Sequence, residues 1–378
     1  MKIKNYACTV VFLAFLSVFS LLLIFLPSSD FSQNEKRVLA EMPELTAESL
    51  SNGSYTDGLE KYINDHFPLR DTFVGIHSYY NRLIGRGNYT GIYMLSDGSL
   101  VSAPLDIDSD KCAKNLAALE KFADGTSLPA SVIIVPSAGD VNKDKLPFGH
   151  ENYADDEIFA LANEKLGDVK LIDLRALFTE KEAAGEDIYY RTDHHVTSYG
   201  SYLMYLEYCK ANSIEPTVGF ENIEEIGGFY GTSYSKSGLW LTKPDVLEIW
   251  HSPNNYKFTV TLDDISEKKE QNGLYSYAHK ENMDKYPIFL DGNHAITTIK
   301  NESVKNGKTL LVIKDSYAHC LSSFLCDQYE TVCLVDPRYY RAGLLKLSQF
   351  ADDIGATEIL YVFGAENLAT LSELALIR

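Results

Sequence analysis

The chain has 378 residues, enough for one large domain or two modest ones, and its 45% hydrophobic and 23% charged residues are those of a folded globular protein. A formal net charge of −19 repels nucleic acid and anionic lipid headgroups, so nucleic-acid partners are excluded and a neutral or weakly charged substrate is favoured.

Lys2 and Lys4 precede an apolar run from about Thr9 to Leu26, broken only by Ser17 and Ser20. Roughly 18 apolar residues suffice to span a bilayer. Positive charge before the run and none directly after it predicts a cytoplasmic N-terminus. Residues 1–27 are therefore expected to form a single-pass transmembrane anchor at the cell membrane, with the rest extracytoplasmic, or a signal segment that leaves a secreted protein if cleaved. Cys8 lies before this run. The other five cysteines, Cys112, Cys209, Cys320, Cys326 and Cys333, are odd in number and lack C-x2-C spacing, so they are expected as buried thiols.

Residues 28–58 are polar and rich in turn formers and read as a linker, leaving 59–378 as one α/β domain. Residues 59–82 have helical apolar spacing interrupted at Pro68, which predicts two short helices. Residues 91–101 read as a hairpin around Ser96-Asp97-Gly98. From about residue 107, helical stretches alternate with buried-type apolar runs at 130–137, 169–174, 309–315, 330–336 and 358–364. That alternation predicts an α/β fold with a parallel sheet covered on both faces. Thr197 or Ser198 is placed to cap a helix through 212. Residues 213–300 carry more Gly, Asn, Tyr and Lys and alternating runs such as 256–264, and read as an insertion with some antiparallel strand.

The stretch 190–197, YRTDHHVT, sets Asp193 two residues before His195. A carboxylate beside an imidazole fixes its tautomer and stabilises the imidazolium, as a general base needs. In extended chain, residues two apart point the same way, which selects His195 and turns His194 away. The candidate nucleophile is Ser316, between the apolar run 310–314 and a helical stretch from Tyr317 to Gln328. A strand-to-helix turn exposes a hydroxyl at the carboxyl end of a sheet and aims the Ser316 and Tyr317 N–H groups where an oxyanion forms. The plainer alternatives are a helix N-cap for Ser316 and a turn for Asp193. A metal site of the DHH phosphoesterase kind is a further alternative; it needs several more carboxylates at strand ends, and no such set is evident. No coenzyme fingerprint is present, and no cofactor or metal is expected.

The blocks FSQNEKRVLAEMP (31–43), YINDHFPLRD (62–71), YYRTDHHVTSYG (189–200), DGNHAI (291–296), LLVIKDSYA (310–318) and LVDPRYY (334–340) together resemble the bacterial DHHW protein family. That family is similar to the alginate O-acetyltransferases of the SGNH-hydrolase-like superfamily, in which an Asp-x-His motif precedes a serine block. The resemblance implies an SGNH-like fold, Asp193 and His195 as base pair and Ser316 as nucleophile. Val196 replaces the usual Trp and Lys314 the usual Gly, which leaves the triad intact and the substrate open. SGNH enzymes add an Asn to the oxyanion donors, for which Asn367 or Asn293 is available, and Arg338 and Arg341 could orient substrate or pair with surface acids. The implied function is O-acetylation, or deacetylation, of a cell-surface polysaccharide, with an integral-membrane acyltransferase as partner. A non-catalytic carbohydrate-binding or scaffold protein of an export complex is the alternative.

Overall fold

The computed structural model describes residues 2–88 and 90–378, with side chains from Tyr6 onward. The chain divides into two compact units, one of residues 1–90 with Tyr234–Leu241 and the other of Gly91–Ser233 with Thr242–Arg378.

The first unit opens with α1 (Lys2–Phe25), whose stretch Tyr6–Phe25 is long and apolar enough to cross a membrane. The lysines before the run precede the described side chains. Residues 28–58 hold a minimal hairpin, Phe31–Ser32 with Arg37–Val38, and the helix α2 (Ala47–Ser51), capped by reciprocal Thr46 and Ser49 hydrogen bonds. Next come α3 (Ser54–His66) and α4 (Arg70–Leu83), separated at Phe67-Pro68 as the interrupted spacing predicts. Hydrogen bonds from Arg37 to Asp65 (2.9 Å) and from Asn34 to Asp71 (2.6 Å), with a Glu35–Arg70 ion pair, tie residues 34–37 to these helices.

The second unit is built on an eight-stranded sheet. In chain order its strands are β1 (Ala130–Val135), β2 (Lys170–Asp173), β3 (Phe258–Asp263), β4 (Lys268–Asn272), β5 (Ile296–Asn301), β6 (Thr309–Lys314), β7 (Thr331–Val335) and β8 (Glu358–Gly364). In space the order is β4-β3-β5-β7-β6-β8-β1-β2. The five strands from β7 to β2 are parallel, and β5, β3 and β4 continue the sheet in antiparallel sense. The 213–300 segment thus extends the main sheet with β3–β5, and adds a separate hairpin of Asn222–Phe229 with Asp245–His251.

Alternation along β6 shows why the parallel strands are continuously apolar. Leu310 and Val312 enter one core with the helices Ser198–Asn212 and Ala318–Leu325, while Leu311 and Ile313 enter the other with α5 (Ser109–Thr126) and the helix Asp155–Lys165. Both faces are buried, so both parities are apolar. Each such side chain contributes about 1.5–3 kcal/mol of burial. Two well-packed layers therefore fix where β6 ends, and that end carries Lys314, Asp315 and Ser316.

Candidate active site

Residues 191–195 form a bend held from outside by Asp245, at the start of the strand Asp245–His251. Its carboxylate accepts the N–H groups of Arg191 (2.7 Å) and Thr192 (2.8 Å) and the Thr192 hydroxyl. Within the bend, Asp193 Oδ1 accepts the His195 N–H (3.0 Å) and meets His195 Nδ1. Asp193 Oδ2 accepts the Thr232 N–H (2.6 Å) and hydroxyl (3.1 Å). A Cβ on Gly231 would lie 2.1 Å from the Asp193 Cβ, so only glycine lets this chain come so close. Asp193 is fixed through both oxygens.

His194 does not turn away. Its ring centroid lies 3.9 Å from that of His195, and its Nδ1 is 2.6 Å from Thr232 Oγ1. The alternation that separates neighbours belongs to extended strand, and this segment is bent. Val196, in place of the family's Trp, is buried and bridges to Tyr189.

Ser316 follows β6 by two residues and precedes the helix Ala318–Leu325. Its Oγ lies 2.7 Å from His195 Nε2, although the two residues are far apart in sequence. With Nδ1 held as a donor to Asp193, Nε2 is left as the acceptor of the Ser316 proton. All three groups are buried. Tyr286, from the 213–300 segment, stacks on the His195 ring at 3.7 Å and 8°, and its hydroxyl donates to the Ser316 carbonyl (3.1 Å). Sequence pattern gave no sign of Tyr286, which sits in a short 3-10 turn.

Asp315 organises the turn from within. Its carboxylate accepts the N–H groups of Tyr317 (3.0 Å) and Gly364 (2.9 Å) and the Asn367 side-chain amide (2.8 Å). Burial pushes this carboxyl above its ordinary value, opposed by those three donors. The Tyr317 N–H, expected toward an oxyanion, is thereby directed to Asp315, and its hydroxyl donates to the His194 carbonyl (2.9 Å). The Ser316 N–H meets no acceptor among the described residues. Asn367 uses one amide hydrogen on Asp315 and has a second.

Asn293 instead lies beside Arg338, whose guanidinium donates to its Oδ1 at 3.3 Å and grips Asp336. Asp336 also holds the buried Lys314 Nζ (3.1 Å), which sits 2.8 Å from His319 Nε2. Burial lowers the Lys314 ammonium from its usual range and keeps His319 neutral; it would raise Asp336, but Arg338 and Lys314 outweigh it and hold that carboxyl low. Arg341 stands apart, largely exposed and paired with Glu373 at 3.4 Å.

The donor atoms of Asp193, His194 and His195 lie within 4.8 Å of one another, close enough to share an ion. Both Asp193 oxygens already accept N–H donors and His195 Nε2 faces Ser316. Holding a cation would break these bonds, so the bend fits a hydrogen-bonded base better than a metal. A cavity of about 610 Å³ lies along the start of the bend and the segments beside it, against Tyr190, Arg191, Tyr199, Asp245, Glu248 and Trp250, but Ser316 and His195 do not line it.

Fold and site define an α/β protein with a mostly parallel sheet between helical layers and an N-terminal apolar helix, in which a serine from one segment meets an aspartate–histidine pair from another at the carboxyl end of the sheet. The chain belongs to the DHHW protein family, whose model matches residues 129–335, more than half of its length. It is similar in structure to a DHHW family protein from Eubacterium siraeum, at 24% identity and a TM-score of 0.62 over 76% of this chain and 95% of that one. Bacillus cereus PatB1 with a sulfonyl adduct is similar at 18% identity and a TM-score of 0.62, over 76% of this chain and 100% of that one. The O-acetyltransferase domain of Pseudomonas putida AlgJ gives 15% identity and a TM-score of 0.46, over 74% and 93%. No curated protein matches the chain.

Proposed function

We propose that this protein is an extracytoplasmic serine acyltransferase or esterase that moves acetyl groups on a cell-surface polysaccharide, tethered by α1. The observation that carries the reading is the 2.7 Å contact of Ser316 Oγ with His195 Nε2, in a ring whose Nδ1 is engaged by Asp193. Nucleophile, base and orienting carboxylate are the minimum for acyl transfer through a covalent intermediate.

In the first half-reaction Ser316 Oγ attacks the ester carbonyl and its proton passes to His195 Nε2. The tetrahedral oxyanion is met by the Ser316 N–H and the second Asn367 hydrogen, at about 2.7–4 kcal/mol of barrier per donor. Collapse expels the donor alcohol, which takes the proton from Nε2 and leaves acetyl-Ser316. A sugar hydroxyl then loses its proton to Nε2 and attacks the acetyl carbonyl, and Ser316 recovers a proton as the acetyl sugar departs. Water in place of the sugar makes the protein an esterase. A membrane-embedded acyltransferase would supply acetyl groups from the cytoplasmic side.

The sulfonyl adduct described for PatB1 agrees with this reading. The test is release of p-nitrophenol from p-nitrophenyl acetate, together with mass spectrometry of the Ser316 peptide. Ser316→Ala is expected to lower turnover roughly 10³–10⁶-fold without changing the circular dichroism spectrum. Undiminished turnover, or acetylation trapped elsewhere, sinks the proposal.

A further inference from the structure

Helix α4 has its polarity reversed for a helix in water. Its buried side carries Gly75, Ser78 and Asn81, with Trp240 against Gly75 and Gly238 against Ser78. Its open side carries Phe73, Ile76, Tyr80 and Leu83, which are 42, 61, 57 and 85% exposed, and Leu69 just before it is 64% exposed. These residues follow one another at spacings of four, three, four and three, a single continuous stripe. Large apolar residues gathered on one open face mark a surface that meets something other than water.

The occupant is indicated by α1. Phe19 stacks on Phe67 at 5.2 Å and 7°, and approaches Phe73 at 6.0 Å. Phe19 precedes Phe25, the end of the apolar span, by six residues, which is about 9 Å along the axis at 1.5 Å per residue. If Tyr6–Phe25 crosses the hydrocarbon, the chain at Phe67 and Phe73 reaches the same depth. Amphipathic helices that lie in a membrane surface bury their apolar face about 5–10 Å. The two depths agree.

We propose that α4 is an interfacial helix, lying in the outer part of the phospholipid leaflet from which α1 emerges, with the Phe73–Leu83 stripe among the acyl chains. The acidic chain suits a zwitterionic rather than an anionic surface. This inference rests on α1 as the anchor and is independent of the chemistry at Ser316.

The full-length chain, carrying Cys8→Ser to remove its exposed thiol and Ile76→Cys with an environment-sensitive dye, is reconstituted in phosphatidylcholine vesicles. Quenching by lipids spin-labelled on the upper acyl chain is compared with quenching by aqueous iodide. The lipid label is expected to quench the dye several-fold more than iodide does, and Leu69→Glu with Leu83→Glu in the same chain is expected to reverse that order while the fold is kept. A dye quenched by iodide as fully as free dye overturns the proposal. So does a dye shielded from both quenchers, which would place protein on the stripe. Failure of the chain to float with vesicles overturns it together with the anchor, whereas flotation without lipid quenching removes the interfacial helix alone. Neither result bears on Ser316→Ala.

Discussion

Tyr286 touches both the base and the nucleophile's backbone, its ring flat on His195 and its hydroxyl on the Ser316 carbonyl. We read it as a positioning residue. Tyr286→Phe keeps the stacked ring, and the Ser316 carbonyl still accepts the His319 N–H at 3.2 Å, so a loss of only a few-fold in kcat is expected. Tyr286→Leu frees the imidazole to rotate. Displacements of about 1 Å cost on the order of 10²-fold, and the loss should fall on kcat with KM nearly unchanged. A Leu variant with full kcat in p-nitrophenyl acetate assays would end this assignment. The contrast with Asp193, His195 and Ser316 shows what sequence can hold. Those three are legible because a spacing and a strand-to-helix turn carry their chemistry locally. Tyr286 comes from an irregular loop among 25 tyrosines, and only the fold brings it to the site. His194 departs from the strand alternation for a related reason: period two is a property of strands, and hydrogen bonds to Asp245 and Thr232 bend this segment.

At the scale of elements, the ends of β6 and β7 are joined by a buried cation and a buried anion. Lys314 and Arg338 share Asp336, with Lys314 at 2% and Asp336 at 0% side-chain exposure. Removing one member of such a group strands the other charges, which costs about 3–5 kcal/mol. Asp336→Ala leaves two cations without their carboxylate and is expected to lose that much in urea unfolding. Lys314→Met leaves Asp336 on Arg338 and fills the space with an apolar chain, so it should cost clearly less. Equal losses would show that the ion pair is not what holds these strand ends. The parallel strands were legible as continuous apolar runs, since both of their faces are buried. The antiparallel extension was only half legible: the alternation at 256–264 announced a strand, but not that β3 would join β5 and continue the main sheet. Pairing between strands so separated depends on partners that no local window contains.

Over the whole molecule, stability should vary with pH through carboxyls whose protons are held more or less tightly than in the unfolded chain. Burial raises Asp155 and Asp245 to about 6 and Glu366 to about 7. A carboxyl raised on folding stabilises the folded chain fully below its unfolded value near 4, and that contribution is lost as pH rises through the folded value. Arg37 lowers Asp65 to about 2; burial would raise Asp291, but Ser276, His279 and Lys269 outweigh it and hold it also near 2, so these two act in the opposite sense, losing stability as pH falls through about 2. His319, buried and neutral, also opposes the raised carboxyls, since the unfolded chain takes up its proton below about pH 6.5. A difference between variants isolates one group from this sum. Asp155 is the clearest choice, because Oδ1 accepts the Ser137 N–H at 2.7 Å, a bond that Asn can keep, while Oδ2 has no partner among the described residues. Asp155→Asn removes the titration, so relative to wild type the variant should gain on the order of 3 kcal/mol between pH 4 and pH 8, at 1.36 kcal/mol per unit. Urea midpoints at the two pH values read this directly, and an unchanged gap between variant and wild type would show that Asp155 does not hold its proton in the folded chain.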